Sequence, residues 1–144
     1  MGKPWTDRET IDRMLDEGET WAIVGLGPNP WRTAYSIAQE LQARGKRIVP
    51  IHPSADGELT VLGELVYPDL ASVPFPIDVV DVFRRSEHAG EFADQAVAIG
   101  AKGVWFQMGV VDEEAFRRTT EAGVPMVMDV CPSQQWHYRE RRLA

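Results

Sequence analysis

Trp21-Ala22-Ile23-Val24-Gly25-Leu26-Gly27-Pro28-Asn29-Pro30-Trp31-Arg32 reads as a buried strand that runs into a glycine turn and then into a helix. Gly25 and Gly27 can carry bare backbone up to a ligand, and Asn29 followed by Pro30 forms an N-cap and N1 pair for the helix. Open amides at that helix start, with the positive end of the helix dipole, make a cradle for a diphosphate. The third glycine of the dinucleotide fingerprint is absent, since Pro30 stands in its place.

The same alternation extends in both directions. Upstream, Thr6-Asp7-Arg8-Glu9 has capping-box spacing and Ile11, Met14 and Leu15 share a helical face, which predicts a helical N-terminal extension over 6–18 that stops at Gly18. Residues 20–24 then form the first strand. Ala34, Ile37, Ala38 and Leu41 place a helix over about 31–44, with Gly45 as its stop, and Arg47 to Ile51 form a second strand. Pro50 cannot donate to a ladder, so this strand lies near an edge or ends early there. From His52 to Pro76, prolines and glycines break the chain into an irregular crossover with a brief helical turn near Asp69 to Val73.

Ile77 to Phe83 is a β-branched strand, and Ser86 is positioned to cap a helix that turns Ala89, Phe92, Ala96 and Ile99 inward. Gly103 to Phe106 makes a fourth strand. Asp112, Glu113 and Glu114 suit the first turn of a helix that ends at Gly123, and Pro125 to Met128 make a fifth strand before a polar tail, 132–144, that is basic at its end. Strand and helix alternate almost throughout, with no internal repeat. The fold class is α/β: a doubly wound parallel sheet of about five strands in a three-layer α/β/α arrangement, with 1–144 forming a single domain.

Composition narrows the function. The 144 residues are 44% hydrophobic and 26% charged, as in an ordinary globular chain. A net charge of −7 argues against a nucleic-acid partner, which calls for a basic face. The lone cysteine, Cys131, excludes an internal disulfide, and no apolar run approaches the roughly 20 residues that span a bilayer. These features imply a cytoplasmic protein with no membrane partner.

In parallel sheets of this kind ligands bind beyond the carboxyl ends of the strands. Those ends deliver Gly25, Gly27 and Arg32 from the first loop, His52 and Pro53 from the second, Phe83, Arg84 and Arg85 from the third, and Gln107 and Gly109 from the fourth. The forked donors of the three arginines can pair with phosphate oxygens; alternatively they are ordinary surface charges. NAD calls for an acidic residue about 20 positions after the glycine turn. Here the second strand ends in Pro50-Ile51-His52-Pro53, and Asp56 would have to fold back to serve. The pattern favours a diphosphate ligand that needs no such ribose contact, or one with an additional ribose phosphate. Coenzyme A (CoA) has both a diphosphate and a 3′-phosphate.

Trp21 to Arg32, Val49 to Pro53, Asp78 to Arg85, Trp105-Phe106-Gln107-Met108-Gly109 and Met128-Asp129-Val130-Cys131 together resemble the small stand-alone CoA-binding proteins. These in turn are similar to the N-terminal CoA-binding domain of the succinyl-CoA synthetase alpha subunit. The resemblance covers about residues 15 to 131 and implies a Rossmann-like fold with CoA lying over the strand ends. Carried onto this sequence, its contacts fall on Gly25, Gly27, Arg32, His52, Pro53, Phe83, Arg84 and Arg85. The family often has Ser or Thr in place of Gly27 and a polar residue other than histidine in place of His52.

The synthetases use a phosphorylated histidine on a second domain, for which these residues leave no room, so the resemblance implies binding without catalysis. His52, His88 and His137 lack metal-ligand spacing, and no metal site is expected. Asp78 and Asp81 point to opposite faces of their strand and form no carboxylate dyad. Cys131 stands at the ligand rim, either as a small buried residue or within reach of the CoA thiol. Trp31 is the aromatic residue placed to cover an adenine.

The leading expectation is a CoA or acyl-CoA binding module, with a protein partner or homo-oligomer possible. Two other readings stay open: an NAD(P)-dependent enzyme or redox sensor, and an interaction scaffold.

Overall fold

The computed structural model describes residues 2–143. After a short 3₁₀ turn at Pro4–Thr6 the elements run α1 (Arg8–Glu17), β1 (Thr20–Val24), α2 (Thr33–Ala43), β2 (Arg47–Ile51), β3 (Thr60–Val61), β4 (Glu64–Leu65) and β5 (Val79–Val82). They continue as α3 (Ser86–Ala98), β6 (Gly103–Phe106), α4 (Glu113–Glu121), β7 (Met126–Val127) and α5 (Pro132–Leu143). The central sheet has five strands in the order β2-β1-β5-β6-β7, and every neighbouring pair is parallel. This is the Rossmann-like α/β arrangement expected from the alternating pattern.

One face of the sheet packs Ile11, Met14 and Leu15 of α1, Ile37 and Leu41 of α2, and Trp136 of α5. The other face packs the alanine stripe Ala89, Ala93 and Ala96 of α3 together with Ala115 of α4. Trp21 and Trp105 are fully buried, and their indole N–H groups are satisfied by the carbonyls of Gly18 (2.9 Å) and Val130 (2.7 Å). The proline in β2 is tolerated because that strand lies at the sheet edge, and its carbonyl accepts from the Tyr67 amide at 2.9 Å.

Four local expectations need correction. The cap of α1 is Asp7 rather than Thr6: its carboxylate accepts from the Thr10 amide and also holds the Thr10 hydroxyl. Ser86 is the first residue of α3, not its cap, and its hydroxyl instead accepts from the Val111 amide at 3.0 Å. The crossover contains a small antiparallel hairpin, β3–β4, as well as the expected turn at Leu70–Ser72. The polar C-terminal tail, for which the sequence pattern predicts no element, is a helix, α5. Its polar stretch buries Pro132 and Trp136, and the Trp136 ring lies 6.3 Å from Trp21 and under the Arg44 guanidinium at 4.6 Å.

Asp81, on the same face of β5 as Val79, is completely buried, and neither carboxylate oxygen has a hydrogen-bond partner among the described residues. Burial pushes its pKa well above the ordinary value of 3.8. The unfolded chain loses this proton at the ordinary pKa while the folded chain keeps it. The stabilising contribution is therefore fully present below the unfolded pKa and is lost as pH rises. Asp81→Asn should remove this loss, so its stability advantage over the natural chain grows upward from about pH 4. Urea unfolding at several pH values checks this, and parallel pH profiles for the two proteins would contradict it.

Candidate functional site

β1 lies between β2 and β5, and the chain leaves it in opposite directions to reach them, so the strand order reverses at the ends of β1 and β5. A cleft of about 1300 Å³ opens there. All ten residues that the sequence places at the strand ends line it: Gly25, Gly27 and Arg32, His52 and Pro53, Phe83, Arg84 and Arg85, and Gln107 and Gly109. Its volume exceeds the roughly 300–1,000 Å³ of ordinary small-molecule pockets, which suits an extended ligand. A second cleft, about 580 Å³ between α1 and α5, is lined by Arg8, Gln134, Gln135, His137, Tyr138 and Arg141 and includes no part of the glycine turn.

The glycine turn is locked by its neighbours. Gly25 has φ +100°, donates its amide to Ile51 at 2.9 Å, and lies so close to β5 that a Cβ would meet the Phe83 carbonyl at 2.8 Å. Gly27 has ordinary backbone angles but a different neighbour. A Cβ there would meet the His52 ring at 2.8 Å. His52 can therefore fill this place only because residue 27 has no side chain.

The turn does not feed the helix as the sequence suggests. Asn29 does not cap α2; its side-chain oxygen accepts from the Trp31 amide at 3.0 Å in a local turn, and α2 begins at Thr33 with Arg32 in the cap position. The physical reason is that an asparagine preceding proline closes its own turn as readily as it caps a helix. No side chain caps α2, and Thr33 and Ala34 of its first turn belong to the cleft wall. Trp31 is 93% exposed and does not line the cleft, so it covers nothing there.

Arg32, Arg84 and Arg85 make no ion pair among the described residues, nor do Arg141 and Arg142 at the end of α5, whereas Arg8, Arg13, Arg44, Arg47, Arg117, Arg118 and Arg139 each face a carboxylate. No Asp or Glu lines the cleft among the described residues, and Arg84 lies 5.4 Å from the ring of Phe92. The site is a cationic pocket in an acidic protein.

His52 belongs to the same field. Its Nδ1 accepts from the Ser54 amide at 3.1 Å and contacts the Ser54 hydroxyl at 2.6 Å, so the proton of the neutral ring sits on Nε2, the atom turned to Gly27. Burial, then the Arg32 and Arg84 guanidinium groups, lower its pKa below the ordinary 6.5 and keep it neutral.

The loop after β6 is braced. The Gly109 amide donates to Asp129 Oδ1 at 2.7 Å, which leaves Gly109 in the cleft wall with its amide already used. Gln107 is only 5% exposed, and its side-chain oxygen is buried without a partner. Cys131 and Gln134 complete the wall from the start of α5, as do Ser54 and Thr33 from the second and first loops. Sequence reasoning missed Ser54, Thr33 and Gln134. Gln134 had one available signal, its spacing of three from Cys131 on one side of a helix.

Replacing Gly27 with Ala should cost about 1–3 kcal/mol through overpacking against His52. In a His52→Ala background the cost should fall below about 0.5 kcal/mol, since the clash has gone. A double-mutant cycle by urea unfolding measures this coupling, and an equal cost in both backgrounds would show that the ring is not what restricts residue 27.

The family model described as "CoA binding domain" matches residues 19–136. The protein YneT of Bacillus subtilis (strain 168), named as uncharacterized, is 35% identical over 121 residues, covering 84% of this chain and 87% of that protein. A hypothetical protein from Pyrococcus horikoshii OT3 has a similar solved structure, with a TM-score of 0.84 at 31% identity over 100% of both chains. The acetyl-coenzyme A synthetase 1 of Ca. Korarchaeum cryptofilum, described as dinucleotide forming, shares the fold with a TM-score of 0.65 at 23% identity. That match covers 78% of this chain and 26% of the synthetase.

Proposed function

The chain belongs to the CoA-binding domain family, and from that premise we propose that its cleft holds coenzyme A or an acyl-CoA and performs no chemistry of its own. In this reading the diphosphate lies over Gly25 and Gly27, against the first turn of α2, and Arg32, Arg84 and Arg85 pair with phosphate oxygens. His52 donates Nε2–H, Pro53 and Phe83 supply apolar wall, and Gln107 and Gly109 bound the far end. The observation that carries the reading is the convergence of three arginines without carboxylate partners on the glycine turn of a chain with net charge −7.

An NAD reading has less support. Asp56, the acidic candidate for a ribose diol, is tied to its own turn, its Oδ1 accepting from the amides of Glu58 (2.9 Å) and Leu59 (2.7 Å). A role as binding module, carrier or sensor fits a cleft lined without carboxylates, since no lining group there is a ready acid/base pair for His52 or Cys131.

Calorimetric titration tests the proposal. CoA should bind more tightly than dephospho-CoA, and Arg84→Ala should weaken CoA binding by about tenfold or more, as the loss of a charge-assisted hydrogen bond does. Equal, millimolar binding of CoA and dephospho-CoA, or tight NADH binding without competition from CoA, would reject it.

A further inference from the structure

We propose that Gln107 reads the uncharged arm of the ligand: its side-chain amide pairs with an amide of the pantetheine chain and so fixes which way CoA lies along the strand ends. This assignment rests on the CoA reading of the cleft.

The first argument is an unmet hydrogen bond. The buried side-chain atoms without a partner among the described residues belong to Asp81, Gln107, Thr119 and Arg139, and Gln107 alone of these lines the cleft. Folded proteins seldom leave a buried amide oxygen unpaired, and a turn of the side chain carries this one from the cleft wall to a ligand.

The second argument is the distribution of charge. Read along the sheet, the strand ends carry His52 after β2, Arg32 beyond β1, and Arg84 and Arg85 after β5. The end of β6 carries Gln107, Met108, Gly109 and Val110, with no charge. Neighbouring strands are about 4.8 Å apart, so β6 stands roughly 10 Å from the glycine turn at β1. CoA has the same polarity: phosphates at one end, and an uncharged arm with two secondary amides and a thiol at the other. A glutamine amide, with both a donor and an acceptor, complements such an amide where a charged group would not.

The third argument is preorganisation. The Gln107 backbone is held on both sides, donating to Val82 at 3.3 Å and accepting from the Val110 amide at 2.9 Å. The Gly109 amide bond to Asp129, at 2.7 Å, fixes the loop beyond it. The backbone at Gln107 is therefore already fixed, and only its side chain has to order when the ligand arrives.

Calorimetry on wild-type protein and Gln107→Met, with CoA and with 3′-phospho-ADP, tests this. The second ligand keeps every phosphate of CoA and lacks the pantetheine arm. The variant should bind CoA tenfold or more weakly, bind 3′-phospho-ADP within about twofold of wild type, and unfold at the same or a higher temperature without ligand, since an unpaired buried polar group has been removed. An equal loss for both ligands, or no loss for CoA, would overturn the assignment while leaving the CoA reading in place. Wild-type protein that binds neither ligand would overturn the CoA reading and the assignment with it.

Discussion

Where β1 ends, the chain has to pass between the ends of β2 and β5, and only a residue without a Cβ fits. Gly25 meets this constraint with a positive φ, an amide bond to the end of β2 and a close approach to the Phe83 carbonyl at the end of β5. That contact brings three loops together. It sets the turn of Gly27, the ring of His52 beneath it and the arginines that follow Phe83 around one opening. The rest of the fold serves the same place, since β6 and β7 extend the sheet away from it and α2 begins at its lip.

Electrostatics then sets what the opening can accept. A cation in the cap position of a helix conflicts with the dipole, and Arg32 stands there with no carboxylate partner among the described residues. Arg84 and Arg85 line the same cleft, and burial, then Arg32 and Arg84, hold His52 neutral. A bound polyanion would offset all of these conflicts at once, in a chain whose net charge is −7. Asp81 shows the opposite solution, in which a carboxyl without any partner stays in the core by keeping its proton.

Much of this was legible in the sequence because the deciding signals are local. Short continuous apolar runs placed all five strands of the main sheet, and proline at residue 50 narrowed β2 to an edge strand or one that ends early, of which the structure has the edge strand. A parallel sheet then brings strand ends together whatever the loops do, which is why all ten strand-end residues reached one cleft. What was not legible depended on competition between alternatives of similar energy. Asn29 satisfies a turn amide instead of a helix end, and Ser86 reaches across to Val111 instead of capping α3. The helix α5 is so polar that its two buried residues, Pro132 and Trp136, leave no periodic pattern, and with the helix went the view of Gln134. The exchange of Ser or Thr for Gly27 and of a polar residue for His52 looked like two departures from the family. The structure shows one, because the ring occupies the space that a side chain at residue 27 would need.

The most direct test of the central claim is a crystal structure of the protein grown with CoA. The account predicts the diphosphate over Gly25 and Gly27, with Arg32, Arg84 and Arg85 turned to its oxygens and the pantetheine arm running toward Gln107. Density for CoA in the cleft between α1 and α5, or a diphosphate held by none of the three arginines, would contradict it.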